Sequence, residues 1–152
     1  MLEDGRQSER ALAIRRGVLR LLVAHDFYAL PEVTLASGRR ADLVGISRKG
    51  EIWIIEIKSS REDLRADSKW PDYRLFCDRL FFASSLDVDE TLFPADAGFI
   101  VADAFGGAML REAPLHPLAA ATRKALLARL SRLGAARLTA LAYADARVPE
   151  NL

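Results

Sequence analysis

Hydrophobic positions recur at two different periods along this chain, and the switches between them predict its elements. Over residues 9–26, Leu12, Val18, Leu19, Leu22 and Val23 return at helical spacing, while Arg10, Arg15, Arg16 and Arg20 fall mainly elsewhere. Ser8 stands where a helix N-cap belongs. Pro31 introduces a short predicted strand over Glu32–Ala36, and Ser37-Gly38 is a turn signal. Residues 40–47 and 51–58 are predicted strands joined by Arg48-Lys49-Gly50. Ser59 or Ser60 caps a helix running to about Ala66, with Glu62 and Asp63 in the first turn, where acids suit the helix dipole. Trp70-Pro71 breaks the pattern, and a short helix covers Asp72–Cys77. Strands are predicted over Arg79–Ser84 and Ala97–Val101, with a weak one over Ala108–Glu112. An Ala/Leu/Arg-rich helix over 117–133 ends at Gly134 and resumes to about Ala144. The order helix, three strands, helix, two strands, helix implies an α/β layer with a central mixed sheet flanked by helices.

Composition narrows the setting. The 152 residues suit one domain spanning 1–152, with no repeat, linker or low-complexity tract. Half of them are hydrophobic (51%), enough for a core without disulfide or metal staples. The single cysteine, Cys77, excludes an intramolecular disulfide and fits a buried core position, and no Cys/His grouping has zinc-ligand spacing. No apolar run approaches the roughly 18 residues needed to span a bilayer, and the polar segment Met1–Arg10 lacks the apolar stretch of a signal peptide. The expectation is a soluble cytoplasmic protein with no membrane partner. The net charge of +1 does not announce a basic DNA-binding domain. Acids gather at Asp87–Glu90, and basic residues at Arg39–Arg40, within Arg61–Lys69 and along Arg123–Arg137, so any nucleic-acid face must be local.

The candidate chemistry lies in Glu51-Ile-Trp-Ile-Ile-Glu-Ile-Lys58. Side chains alternate across a strand, so Ile52, Ile54, Glu56 and Lys58 share one face and Trp53, Ile55 and Ile57 the other. Both faces are apolar until Glu56, the mark of a central strand covered on both sides. The preceding strand carries Asp42. A three-residue loop, with Gly50 at its left-handed position, pairs Ser47 with Glu51, Val44 with Ile54 and Asp42 with Glu56. A two-residue loop instead sets Asp42 against Ile57. The first register keeps polar with polar, yet it opposes two like charges, which destabilises a sheet. A divalent cation resolves that conflict, and hard oxygen ligands suit Mg²⁺ or Mn²⁺. The competing reading is a Glu56–Lys58 salt bridge at a strand end, with Asp42 in a turn.

Asp42, Glu56 and Lys58, with thirteen residues between the two acids, resemble the signature of the PD-(D/E)XK nuclease superfamily. The wider context is similar to the MmcB-like bacterial DNA repair proteins: Pro31-Glu-Val, Arg39-Arg-Ala-Asp-Leu-Val-Gly, Ile54-Ile-Glu-Ile-Lys-Ser-Ser, Asp67-Ser-Lys-Trp-Pro-Asp-Tyr and Cys77-Asp-Arg-Leu-Phe-Phe-Ala. The likeness runs over roughly residues 8–140, and Ala41 stands where the motif has proline. It implies a restriction-endonuclease-like core. Asp42 and Glu56 would ligate the metal with the Ile57 carbonyl, and Lys58 would act on the attacking water or the phosphate. Glu32 and, from the first helix, Glu9 are candidate further ligands. Metal-assisted phosphodiester hydrolysis in DNA repair is the activity implied.

For DNA contact, the sequence offers Arg39 and Arg40 beside the site and a charged-aromatic loop with Lys69, Trp70, Asp72 and Tyr73, suited to holding phosphates and stacking bases. Ser59, Ser60 and Asp63 read as helix caps, His25 and His116 as structural, and Phe81 and Phe82 as core. Arg123, Lys124, Arg129, Arg132 and Arg137 read as a solvated helix face. Two alternatives to the nuclease stand: a catalytically silent DNA-binding or scaffolding protein, and a sugar- or nucleotide-binding α/β protein, which the lack of a Gly-rich phosphate loop disfavours. DNA and other repair proteins are the expected partners. The sequence leaves the oligomeric state open, a homodimer included.

Overall fold

The structure, a computed structural model, describes residues 8–143 and 145. The segment 1–7 and the expected helix end at Ala144 lie outside the described residues. Helix α1 (Glu9–Ala24) starts at Ser8, whose hydroxyl accepts the Ala11 N–H at 3.1 Å, and it buries Ile14, Val18 and Leu22. Strands β1 (Tyr28–Thr34), β2 (Arg40–Ile46) and β3 (Ile52–Ile57) form an antiparallel meander. Helix α2 (Arg61–Ala66) and a 3-10 turn (Trp70–Phe76) lead to β4 (Arg79–Ser84) and β5 (Gly98–Ala102), which continue the sheet parallel to β3. Strand β6 (Gly107–Arg111) pairs antiparallel with β5, and helix α3 (Ala120–Ala142) follows. The sheet runs β1-β2-β3-β4-β5-β6 in sequence order, a mixed six-stranded sheet flanked by helices.

Strand β3 is buried at all six positions, as its doubly apolar pattern requires. Helix α1 packs on the face that carries Leu43, Trp53, Ile55, Ile57 and Phe81. Helix α3 supplies Leu126, Leu130 and Leu133 to the other face, over Val44, Ile52, Ile54 and Leu80, with Cys77 buried beside them. Phe82 joins Phe93 and Phe99 in a third cluster.

Two elements differ from expectation. Strand β1 begins at Tyr28 rather than Glu32 and includes Pro31, tolerated because β1 is an edge strand. Its pairing with β2 skips Glu32, whose φ of +51° places a non-glycine residue in the left-handed region directly opposite Asp42. Helix α3 starts later than expected and runs straight through Gly134. A glycine inside a helix costs only about 1 kcal/mol. Buried Leu133 and Arg137, whose guanidinium donates to the Glu32 carbonyl at 2.8 Å, hold the helix across it.

The arginines of α3 also correct the solvated-face reading. Arg129 donates to the Thr34 carbonyl at 3.1 Å, and Arg137 also reaches the Pro31 carbonyl. Arg123 donates to the Gly50 carbonyl at 2.8 Å and forks onto both oxygens of Asp78 at 2.7 Å. Lys124 and Arg132 do remain exposed.

Asp78 is 2% exposed and accepts the Ile52 N–H at 2.8 Å and the Leu118 N–H at 2.9 Å, tying β3, the approach to α3 and Arg123 together. Burial alone would raise its pKa, but the Arg123 fork and the two backbone donors outweigh burial and lower it. A depressed carboxylate contributes stability that is complete above its unfolded pKa and disappears as pH falls through the folded value. Asp78→Ala is therefore expected to cost about 3 kcal/mol in urea unfolding at pH 7, the low end for breaking a buried pair because Arg123 is itself 28% exposed. The gap from wild type should narrow below about pH 4; a gap independent of pH would show that the charge of Asp78 contributes nothing.

Candidate functional site

The site forms where the β2–β3 ladder lets go. Gly50 has φ +85°, the Ser47 N–H donates to the Glu51 carbonyl at 3.0 Å, and Val44 lies opposite Ile54, which is the three-residue-loop register. Paired residues end at Leu43 and Ile55. Beyond them side chains replace the backbone rungs. The Asp42 N–H donates to Glu56 Oε2 at 2.9 Å, and the Ile57 N–H donates to Asp42 Oδ2 at 2.8 Å. Each carboxylate thus takes a backbone donor from the opposite strand, and neither can withdraw without orphaning a shielded N–H.

Holding the acids this way has an electrostatic consequence. Burial, then the charge of Asp42, pushes the Glu56 pKa well above the ordinary carboxylate value. Burial also raises Asp42, against the lowering pull of the Ile57 N–H and of Lys58. Glu56 is only 4% exposed.

Lys58 continues the strand. Its N–H donates to the Ala83 carbonyl of β4 at 2.9 Å, and its carbonyl accepts from Ser84 Oγ at 2.6 Å. Its amine does not pair with Glu56; it donates to Asp67 Oδ2 at 2.7 Å. Asp67 is the C-cap of α2. Burial would raise its pKa, but the Lys58 amine and backbone donors outweigh that and lower it. The expected caps of α2 are present, since Ser60 Oγ accepts the Asp63 N–H at 3.1 Å and the Ser59 hydroxyl donates to the Asp63 carboxylate at 2.8 Å.

These groups open onto a cleft of about 460 Å³ that holds four cations, Arg39, Arg40, Lys58 and Lys69, and four carboxylates, Asp42, Glu56, Asp63 and Asp67. Two of the cations carry further acids, with Arg39 on Asp72 at 2.9 Å and Arg40 on Glu32 at 3.7 Å. Charges in the cleft balance; it is not a basic groove.

The structure brings Asp42, Glu56, Ile57, Lys58, Arg39, Arg40 and Lys69 together and separates others. Glu32 lies opposite Asp42 and its charge adds to the raising of the Asp42 pKa, but its carboxylate pairs with Arg15 at 3.4 Å and with Arg40 outside the cleft lining, and Glu9 stays exposed in the first turn of α1 outside that lining. Among the described residues no group of three or more His, Cys, Asp or Glu side chains is gathered for a metal. A two-carboxylate set still suits Mg²⁺, which commonly keeps several waters and takes one or two protein carboxylates. Asp42 and Glu56 each commit one oxygen to a backbone donor, leaving Oδ1 and Oε1 as hard donors, so the acid pair fits such an ion.

Tyr73 is buried and donates its hydroxyl to the Arg40 carbonyl at 3.1 Å, so it offers no face for base stacking. Burial and the neighbouring Glu56 and Asp42 carboxylates raise the pKa of its phenol, which keeps it a donor. The ring of Trp70 packs edge-on against Phe82 at 5.4 Å, with the Arg74 guanidinium over it. Asp67 is the site residue that strand periodicity does not find. Its only signal is its place at the head of the Asp67-Ser-Lys-Trp-Pro-Asp-Tyr segment.

A family model described as DNA repair protein MmcB-like matches residues 1–145 of the chain. Among solved structures, the SPO1766 protein of unknown function from Silicibacter pomeroyi is 40% identical, over 95% of this chain and 99% of its own, with a TM-score of 0.89. No curated protein matches.

A carboxylate whose pKa is raised on folding makes the folded state bind the extra proton, so stability falls as pH climbs from the ordinary carboxylate value toward the raised one. Glu56→Gln keeps an oxygen for the Asp42 N–H and removes the charge. It is expected to raise Tm at neutral pH, by an amount that shrinks toward pH 4. A variant no more stable than wild type at pH 7 would contradict a raised Glu56 pKa.

Proposed function

The chain belongs to the MmcB-like family of DNA repair proteins, and on that premise we propose that it is a Mg²⁺- or Mn²⁺-dependent deoxyribonuclease of the PD-(D/E)XK type. The observation that carries the reading is the pair of raised-pKa acids, buried Glu56 and half-buried Asp42, locked by each other's backbone at the mouth of a polar cleft. Such pairs mark functional sites, because a structure built for stability alone would not keep them. The six-stranded mixed sheet between helices is compatible with a restriction-endonuclease-like core.

Asp42 and Glu56 would hold the metal, with the Ile57 carbonyl as a further oxygen. Bound there, the ion supplies a Lewis acid and an acidified water for phosphodiester hydrolysis. The charge balance of the cleft gives a second reason for it. A DNA backbone entering alone meets as many carboxylates as cations, and a divalent ion on the acid pair tips that balance toward the polyanion. Lys58 presents a fixed ammonium whose charge reaches both acids, suited to charge developing on the phosphate. Arg39, Arg40 and Lys69 hold flanking phosphates, with Asp72 and Glu32 giving up Arg39 and Arg40 on binding. Trp70 can contribute at most an edge. A catalytically silent DNA-binding protein is the second reading, favoured by one observation: Lys58 already has a carboxylate partner in Asp67.

Three measurements test the proposal. Mg²⁺ or Mn²⁺ is expected to raise Tm by binding the folded state, and Asp42→Asn to abolish that gain; equal gains in both would remove Asp42 from the metal. Lys58→Ala is expected to lower cleavage by roughly 10²–10³-fold with DNA affinity unchanged. Arg39→Ala or Lys69→Ala should weaken binding to all sequences and flatten its log–log salt slope by about one. A protein that binds DNA, cuts neither branched, damaged nor single-stranded substrates with either metal, and supports repair in cells as Lys58→Ala would establish the silent reading instead.

A further inference from the structure

The Lys58–Asp67 pair is unlike the other ion pairs of the cleft. Its side chains are 13% and 17% exposed, against 31% and 52% for Arg39–Asp72 and 54% and 37% for Arg40–Glu32. Exposed pairs fix their side chains weakly. A shielded, charge-assisted contact at 2.7 Å fixes them firmly. Lysine needs such an anchor, because its ammonium rides on a flexible four-carbon stem. The backbone of Lys58 is already bound on both sides to β4, through the Ala83 carbonyl and the Ser84 hydroxyl. Only the amine end requires a second point.

Asp67 is itself held in place. Its Oδ1 accepts the Lys69 N–H at 3.0 Å, while its own N–H donates to the Leu64 carbonyl at 3.2 Å. The two oxygens divide their work, one for the loop and one for the amine. The setting also argues against a pair kept for stability. Helix α2, which Asp67 ends, buries none of its residues fully and rests on the Phe82–Phe93–Phe99 cluster through Leu64 alone, so there is little core there for the pair to brace. What the pair does fix is one cation at the rim of the acid cleft.

We infer that Asp67 is a positioning residue: it holds the Lys58 ammonium at the cleft before substrate arrives, in the orientation from which that cation meets the reacting phosphate. The inference rests on the nuclease reading above and adds to it the residue on which Lys58 depends. A cation that must find its place during each turnover loses the benefit of preorganisation, and a displacement of about 1 Å in such a site costs on the order of 10²-fold in rate.

The test compares wild type, Asp67→Asn, Asp67→Glu, Lys58→Met and the Lys58→Met/Asp67→Asn double variant. Asparagine keeps an oxygen for the Lys69 N–H, so the loop is retained while the charge is lost. With Mg²⁺ or Mn²⁺ and a DNA that wild type cuts, Asp67→Asn is expected to lower kcat on the order of 10²-fold with KM and DNA affinity unchanged. Asp67→Glu should restore part of the loss, and the double variant should be no slower than Lys58→Met alone. A wild-type kcat in Asp67→Asn, or a double variant slower by the full product of the two losses, overturns the inference and leaves the nuclease reading intact. Urea unfolding of the same five proteins provides an arm that needs no cleavage. The Lys58 and Asp67 changes should be non-additive in midpoint, and strict additivity would show that the anchor does not exist. A wild type that cuts nothing overturns the inference together with the reading beneath it.

Discussion

The desolvation of Asp42 and Glu56, with the charge of Asp42 acting on Glu56, is the constraint around which the candidate site is arranged. A buried and a half-buried carboxylate at one strand end separate unless something holds them. Here the hold is the backbone of the opposing strand, through the Asp42 N–H on Glu56 and the Ile57 N–H on Asp42. Those donors are available only because the β2–β3 ladder stops one pair short, at Leu43 and Ile55. The ladder can stop there because β3 is fixed from its other side by parallel pairing to β4 up to Ile57–Ala83. The central position of β3 is therefore what makes an energetically poor arrangement of charges sustainable, and strain of this kind is the expected signature of a site kept for use.

Much of that arrangement is legible in the chain. The glycine of Arg48-Lys49-Gly50 sets the hairpin register, and the register decides that Asp42 meets Glu56 and not Ile57. The continuous apolar run of β3 shows that the acids end a buried strand. What the sequence hides is long-range or local in the wrong way. Asp67 sits in a loop, where no period relates it to the strand it serves. The left-handed backbone of Glu32 draws that carboxylate to Arg15 and Arg40, and nothing in Pro31-Glu-Val announces it. Tyr73 looks like a surface aromatic among charges until the 3-10 turn buries it. The arginines of α3 look solvated because their partners are mostly backbone carbonyls of β1 and the Gly50 loop, which no sequence pattern displays.

The same arginines show how part of the basic charge of a chain with 22 basic and 21 acidic residues is spent inside the fold. Arg123, Arg129 and Arg137 are committed to the fold. In the cleft, Arg39, Arg40 and Lys58 each carry a carboxylate. In the proposed nuclease, a phosphate approaching the site would compete with those acids, so binding would be an exchange of partners. Such a surface discriminates against loose, non-specific adsorption, because a phosphate must displace a carboxylate already in place.

The sheet order, identical to the order of the strands along the chain, bears on how the molecule comes to be folded. Strands β1 to β3 are neighbours in sequence and in space, joined by short turns, and closing short loops is entropically easy. Both acids and the residues that bind them lie inside this meander. Asp67, by contrast, lies in the crossover that must span to the parallel strand β4, a slower class of connection. The two carboxylates can thus be brought together by contacts local in sequence, while the cation beside them acquires its anchor only when the crossover docks. Completing the site therefore depends on the crossover, which brings both β4 against β3 and Asp67 to the Lys58 amine.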